Sequence, residues 1–193
     1  MQVRRTFDYR HMPWKNGGGD TIEIAIAPHD ADIDTFDWRI SMASAATDGP
    51  FSTFTGIDRT LCVLEGTGIS LQIGDASARI LDEASDPFAF SGDTRASATL
   101  VDGPITDFNV MTRRGRFAHT VRRVRLERGD ERTCDRTSTM LFCHTGIVDI
   151  TSGSESARLD PCDSIVRDAT ETDVWHLRAR VPAMLYLVTI VPS

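Results

Sequence analysis

Two pairs of polar residues stand two apart in otherwise apolar stretches: Arg39 and Ser41 in FDWRISMAS, and Asp107 and Asn109 in TDFNVMTRR. Glu23 occupies the same phase of DTIEIAI, between Ile22 and Ile24. Residues two apart on a β-strand project from one face, so each pair shares a surface. Were these surfaces to meet inside a barrel, they would gather one guanidinium, two carboxylates, a hydroxyl and an amide around a small space. Arginine is suited to bidentate capture of a ligand carboxylate. Glu23 and Asp107 would then orient Arg39, while Ser41 and Asn109 would hydrogen-bond an amide or formyl group. On the outer face of a sheet the same residues would be hydrated, with Arg39 bridging to an acid for under ~1 kcal/mol. Pattern alone leaves both orientations open.

A second candidate is the stretch HMPWKNGGGDTIEIAI, residues 11–26. A phosphate loop places its glycines between a strand and a helix N-terminus. Here three glycines lead into alternating isoleucines, and no Gly-Lys-Ser/Thr follows, so the phosphate reading is weak. Glycines also permit positive φ and close backbone approach, which leaves a ligand loop and a plain turn as rivals. Trp14 offers a flat apolar wall, Lys15 a point charge and Asn16 both donor and acceptor. Lys15 is the single lysine among 21 basic residues. Downstream, DGPFSTFTGIDR carries Phe51, Phe54 and Arg59 on a Gly/Pro-rich turn. Those rings would either rim a pocket mouth or cap a core.

Metal chemistry finds little support. His11, His29, His119, His144 and His176 show no HxH, HxxxH or HExxH spacing. Cys62, Cys134, Cys143 and Cys162 form no CxxC pair. No Ser/His/Asp or Cys/His arrangement is evident either. The expectation is no metal, no cofactor and no assigned catalytic residue.

The elements that must position these groups are strands. Alternating runs recur at short spacing through both halves, separated by Gly, Asp and Pro turns, which favours an all-β sandwich or barrel. FAHTVRRVRLER has room for a short helix, against which its Thr and Val content argues. A weak internal repeat links TLCVLEGTGISLQI (60–73) to TMLFCHTGIVDI (139–150), and SARILDEASDPFAF (77–90) to SARLDPCDSIVRD (156–168). It divides the chain into two tandem barrels: residues 1–112 with the ligand pocket, and 113–193 comprising a crossover and the second barrel. The net charge of −7 repels nucleic-acid phosphates. The arginine-rich run 113–132 then reads as a solvated face or a set of internal ion pairs. No signal-peptide core or run of ~18 apolar residues is present, so a cytoplasmic, thiol-reduced chain without a membrane partner is expected.

The blocks MPWKNGGGDTIEIA (12–25), FDWRISMA (36–43), DGPFSTFTGIDRTLCVLEGTG (48–68) and DFNVMTRRG (107–115) resemble, in order and spacing, the signature of the HutD/Ves family. The resemblance covers nearly the whole chain. It implies cupin-like β-barrels in tandem, a bicupin, and a link to histidine utilisation. It also implies binding of formylglutamate or a related carboxylate metabolite in a regulatory or accessory role, without an established catalytic activity. Self-association into a homodimer is left open. Thr55 stands where the family tends to have proline, and the metal-binding cupin pattern is absent from both halves. Two rival readings remain: a metal-independent isomerase or lyase on a small acid, with Glu23 or Asp107 as general base, and a protein-interaction module docking through the arginines of 113–132.

Overall fold

β-branched and aromatic residues fill each alternating run, and residues that favour turns separate them, so local preference and pattern agree on strands. The computed structural model describes residues 1–14, 17–167 and 171–193. β1 (Gln2–Arg4) precedes one 3-10 turn, Thr6–Asp8. Then come β2 (Arg10–Pro13), β3 (Gly19–Ala27), β4 (Trp38–Ala45), β5 (Gly49–Pro50), β6 (Ile57–Glu65), β7 (Ile69–Ile73), β8 (Arg79–Leu81), β9 (Phe88–Ser91), β10 (Ala96–Leu100) and β11 (Ile105–Arg113). The rest is β12 (Phe117–Leu126), β13 (Glu131–Cys134), β14 (Ser138–Thr145), β15 (Val148–Ser152), β16 (Glu155–Leu159), β17 (Ser164–Val166), β18 (Trp175–Ala179) and β19 (Ala183–Pro192). Residues 117–126, with room for a helix by sequence, are thus a strand, as their β-branched content prefers. Among the described residues no helix is long and apolar enough to cross a membrane.

The chain divides into two units, Arg10–Ala118 with Pro192–Ser193, and Met1–Tyr9 with His119–Val191. In the first, the sheet β2-β3-β4-β11-β6-β9 faces the sheet β5-β10-β7-β8. Leu61, Val63, Ala45 and Ile105 of the larger sheet pack with Ile69, Leu71, Ala96 and Ala98 of the smaller. In the second, β1-β17-β14-β19-β12 accompanies β13-β18-β15-β16, around Leu141, Cys143, Val148, Ile150, Trp175, Leu185 and Leu187. Read from β12, the order β12-β19-β14-β17 repeats β4-β11-β6-β9 with every strand eight places on, and the smaller sheets correspond in the same way. The repeat segments 60–73 and 139–150 are the β6–β7 and β14–β15 pairs of this scheme.

Beside the expected 1–112 and 113–193, residues 113–118 and 192–193 go with the first unit, and the start of the chain crosses over. The first nine residues belong with the second unit. β1 pairs with β17 through Gln2↔Val166, Val3↔Ile165 and Arg4↔Ser164. The Tyr9 hydroxyl donates to the Cys162 carbonyl at 2.8 Å and pairs with Ser164 Oγ at 2.9 Å, and Arg5 Nη1 meets Asp163 at 2.6 Å. Strand pairing between segments far apart in sequence leaves no local signal for a reader of the chain.

Candidate polar site inside the first barrel

Glu23, Arg39, Ser41, Arg59, Asp107 and Asn109 share one face of the six-stranded sheet. Asn109 stands opposite Ser41 on one side and Leu61 on the other, and Asp107 opposite Ala43 and Val63. Met111 stands between Arg39 and Arg59, and Glu23 opposite Ser41. Leu61 and Val63 belong to the core between the two sheets, so the whole face looks inward. All six polar residues are buried. The opposite face of β4 and β11, with Ile40, Met42, Phe108 and Val110, is buried as well. Alternation along these strands therefore separates two interiors rather than inside from outside.

Two arginines in this interior are treated differently. Arg39 Nε donates to Glu23 Oε2 at 2.6 Å, with side chains 6% and 9% exposed. Such a pair offsets the cost of two buried charges, and removing one partner typically costs about 3–5 kcal/mol. Arg59 has no carboxylate in direct contact among the described residues. Its Nη2 donates to Asn109 Oδ1 at 2.8 Å, and Nη1 reaches the Ser52 carbonyl at 3.4 Å. Its Nε–H is buried without a hydrogen-bond partner among the described residues. The guanidinium carbon lies 5.3, 5.7 and 5.2 Å from the ring centres of Phe51, Phe54 and Phe90. Aromatic faces attract a cation, but they cannot accept the Nε proton as a carboxylate would. Burial accordingly pulls the Arg59 pKa down to about 10, opposed by Asp107 and helped by Arg39.

Asp107 is linked to Arg59 through an amide. Asn109 Nδ2 donates to Asp107 Oδ1, and Asn109 Oδ1 accepts from Arg59. Burial between apolar neighbours pushes the Asp107 carboxyl up to about 7, against the stabilising pull of Arg59 and the Asn109 hydrogen bond. A carboxylate displaced only by a neutral bridge from its nearest cation cannot recover its full desolvation cost.

The triple-glycine stretch is the connection of the β2–β3 hairpin. Trp14 N–H donates to the Gly19 carbonyl at 2.9 Å and Gly17 N–H to the Trp14 carbonyl at 3.0 Å. Gly17 has φ +69°, and a Cβ on Gly19 would lie 2.0 Å from the Ser44 carbonyl oxygen. The glycines thus serve a tight turn and close approach to β4. Lys15 and Asn16 lie outside the described residues. Trp14 donates its indole N–H to Thr21 Oγ1 at 2.8 Å. It lines a cleft of about 130 Å³ with Pro50, Phe51, Leu100 and Ile105, flanked by Thr47 and Asp48. Phe51 belongs both to this cleft and to the Arg59 cage; Arg39, Ser41, Asp107 and Asn109 do not line the cleft.

Of the groups picked out by sequence, the fold gathers Glu23, Arg39, Ser41, Arg59, Asp107 and Asn109, with Phe51 and Phe54 as the wall of Arg59. Trp14 stands at the cleft. Phe90 escaped the sequence reading: it faces Arg59 across the β6–β9 pairing, and its only trace was the alternating Phe-Ala-Phe of β9. In the run 113–132, Arg114 pairs with Asp58 at 2.7 Å and Asp93 at 2.8 Å, and Arg116 with Asp37 at 2.5 Å. Among the described residues no group of three or more His, Cys, Asp or Glu side chains is arranged to hold a metal ion.

The HutD family model matches residues 6–186. A Pseudomonas putida protein described as an uncharacterized 21.2 kDa protein in the hutC 3′ region is 38% identical over 169 residues, covering 86% of this chain and 85% of its own. Protein Ves of Citrobacter koseri is 40% identical over 152 residues, 77% and 73% of the two chains. Among solved structures, a conserved protein of unknown function from Pseudomonas aeruginosa PAO1 superposes with a TM-score of 0.89 at 34% identity, covering 98% and 97%. HutD from Pseudomonas fluorescens SBW25, in a formate condition, gives 0.81 at 28%, covering 100% and 98%. A cupin 2 conserved barrel domain protein from Leptotrichia buccalis gives 0.56 at 10%, covering 89% and 88%, and shares the fold alone.

Proposed function

The chain belongs to the HutD family, with a cupin-like fold and a link to the histidine-utilisation locus, and from that premise we propose that its first barrel binds a small carboxylate metabolite. N-formylglutamate is the leading candidate, and the role is regulatory or accessory rather than catalytic. The observation that carries this reading is Arg59: a buried guanidinium, caged by three rings, whose Nε–H has no acceptor among the described residues. A ligand carboxylate supplies both the acceptor and the counter-charge. Ser41 and Asn109 offer hydrogen bonds to an amide or formyl group, and Phe51, Phe54 and Phe90 exclude water. Arg39, neutralised by Glu23, borders the same interior.

Calorimetric titration with N-formylglutamate, glutamate and urocanate tests the reading. At least one should bind with a Kd at or below the millimolar range, and Arg59→Met should abolish that binding. No heat with any of them at millimolar ligand ends the hypothesis.

One observation favours a metal-independent enzyme as a second reading. An Asp107 poised near pH 7 has the proton affinity of a general base. Turnover of a small acid in the presence of a chelator, lost in Asp107→Asn, would decide for it.

A further inference from the structure

Asp107 has a distinctive setting. In its own sheet it lies between Ala43 and Val63. The facing sheet contributes Ile69 and Leu71 from β7 and Ala96 and Ala98 from β10, none of them titratable. Among the described residues the charged groups on the inward face are Arg59 from β6, and Arg39 from β4 with Glu23 from β3, which are bound to each other. Arg10, opposite Glu23 on β2, is exposed, and His11 lies in register with Ile22 on the other face. From β9 come only Phe88 and Phe90. Asp107 reaches Arg59 through the Asn109 amide and, among the described residues, has no other cation beside it.

We propose that the barrel takes up a carboxylate and a proton together, the carboxylate on Arg59 and the proton, drawn from solvent, on Asp107, so that the buried end of the ligand carries a single negative charge. Oδ1 of Asp107 already accepts the Asn109 amide, which leaves Oδ2 to carry the proton. Arg39 and Glu23 cancel. An ionised Asp107 would leave Arg59 already neutralised and would repel an incoming carboxylate across a dry interior. A protonated Asp107 leaves one uncompensated positive charge, which one carboxylate satisfies. A second carboxylate on the same molecule must therefore sit outside this interior. The raised pKa of the free protein agrees with this.

The proposal rests on the carboxylate-binding reading above, and calorimetry with N-formylglutamate separates the two. Titrations in phosphate and in Tris, whose ionisation heats differ, give the protons taken up. About 0.9 proton should enter at pH 8 and ~0.1 at pH 6, and Kd should stay flat below about pH 7 and climb roughly tenfold per unit above it. Asp107→Asn, a neutral isostere, should remove both the uptake and the slope. Infrared difference spectra of the ligand-free protein should show a carboxylic-acid band at pH 6 that is absent in Asp107→Asn. Binding without proton uptake at pH 8, or uptake that persists in Asp107→Asn, overturns the coupling while leaving the carboxylate site standing. Absence of binding at millimolar ligand overturns both.

Discussion

The two barrels share a strand order but not an interior. β11 and β19 are counterparts in the repeated topology. On its inward face β11 presents Asp107 and Asn109, opposite Val63 and Leu61. β19 presents Leu185 and Leu187, opposite Cys143 and Leu141, all within the core of the second unit. At these equivalent positions of the central strand, the frame thus carries hydrogen-bonded polar groups in one unit and apolar side chains in the other. The apolar filling is what stability requires, since burying polar groups costs unless every one is paired. The first barrel keeps an arginine with an idle Nε–H and a carboxyl far from its ordinary pKa. Such departures from good packing point to a task for this face. Among the described residues the second unit has idle buried polar atoms of its own, Arg167 Nη2 and Glu171 Oε2, but they follow β17 rather than lie on the inward face of β14 and β19.

That contrast can be broken most severely by moving the polar filling. Leu185→Asp places a carboxylate among the apolar side chains of the second core. A loss of more than about 4 kcal/mol is expected, seen as insoluble protein or a collapse of the urea midpoint. If Leu185→Asp folds with near-normal stability, the two interiors are interchangeable and the comparison fails. Glu23→Gln, in the first barrel, strands Arg39 without its carboxylate. About 3–5 kcal/mol should be lost, and chemical denaturation reads it directly.

Asp107 gives a test by pH. Its carboxyl is raised in the folded state, so the native protein binds a proton more tightly than the unfolded chain. Stability is then unaffected below the unfolded value of 3.8 and falls as pH rises from there to about 7, with no further change above. The total is up to about 4 kcal/mol from a shift of this size. Comparison of wild type with Asp107→Asn across pH 4.5–8 should show the variant gaining relative stability as pH rises, and parallel curves would refute the assignment. The smallest effect concerns the cage. Phe90→Ala should cost about 1–2 kcal/mol in stability, because Phe90 is only half-buried. It should also weaken carboxylate binding by admitting water to Arg59, measured on the same calorimeter.

Much of the architecture was legible in the chain. Alternation in DTIEIAI, FDWRISMAS and TDFNVMTRR named the strands and the phase of their polar residues, because a strand shows its faces with a period of two. The repeat of residues 60–73 in 139–150 pointed to two similar barrels for the same local reason. The Arg59 cage was not legible. It joins Phe51 and Phe54 from one loop with Phe90 from β9, and only the β6–β9 register brings Phe90 to face Arg59. Nor could the chain show that residues 1–9 complete the second unit.

By itself, then, the sequence determined the strands, their two faces and the duplicated pattern, since these depend on neighbours a few residues apart. Only the tertiary structure decided that the polar face looks inward, that Glu23 engages Arg39, and that Arg59 is left with an idle donor among three rings. Both faces of β4 and β11 are buried, so hydrophobic alternation carries no sign of which one meets the facing sheet. That choice is made by pairing between strands distant in the chain.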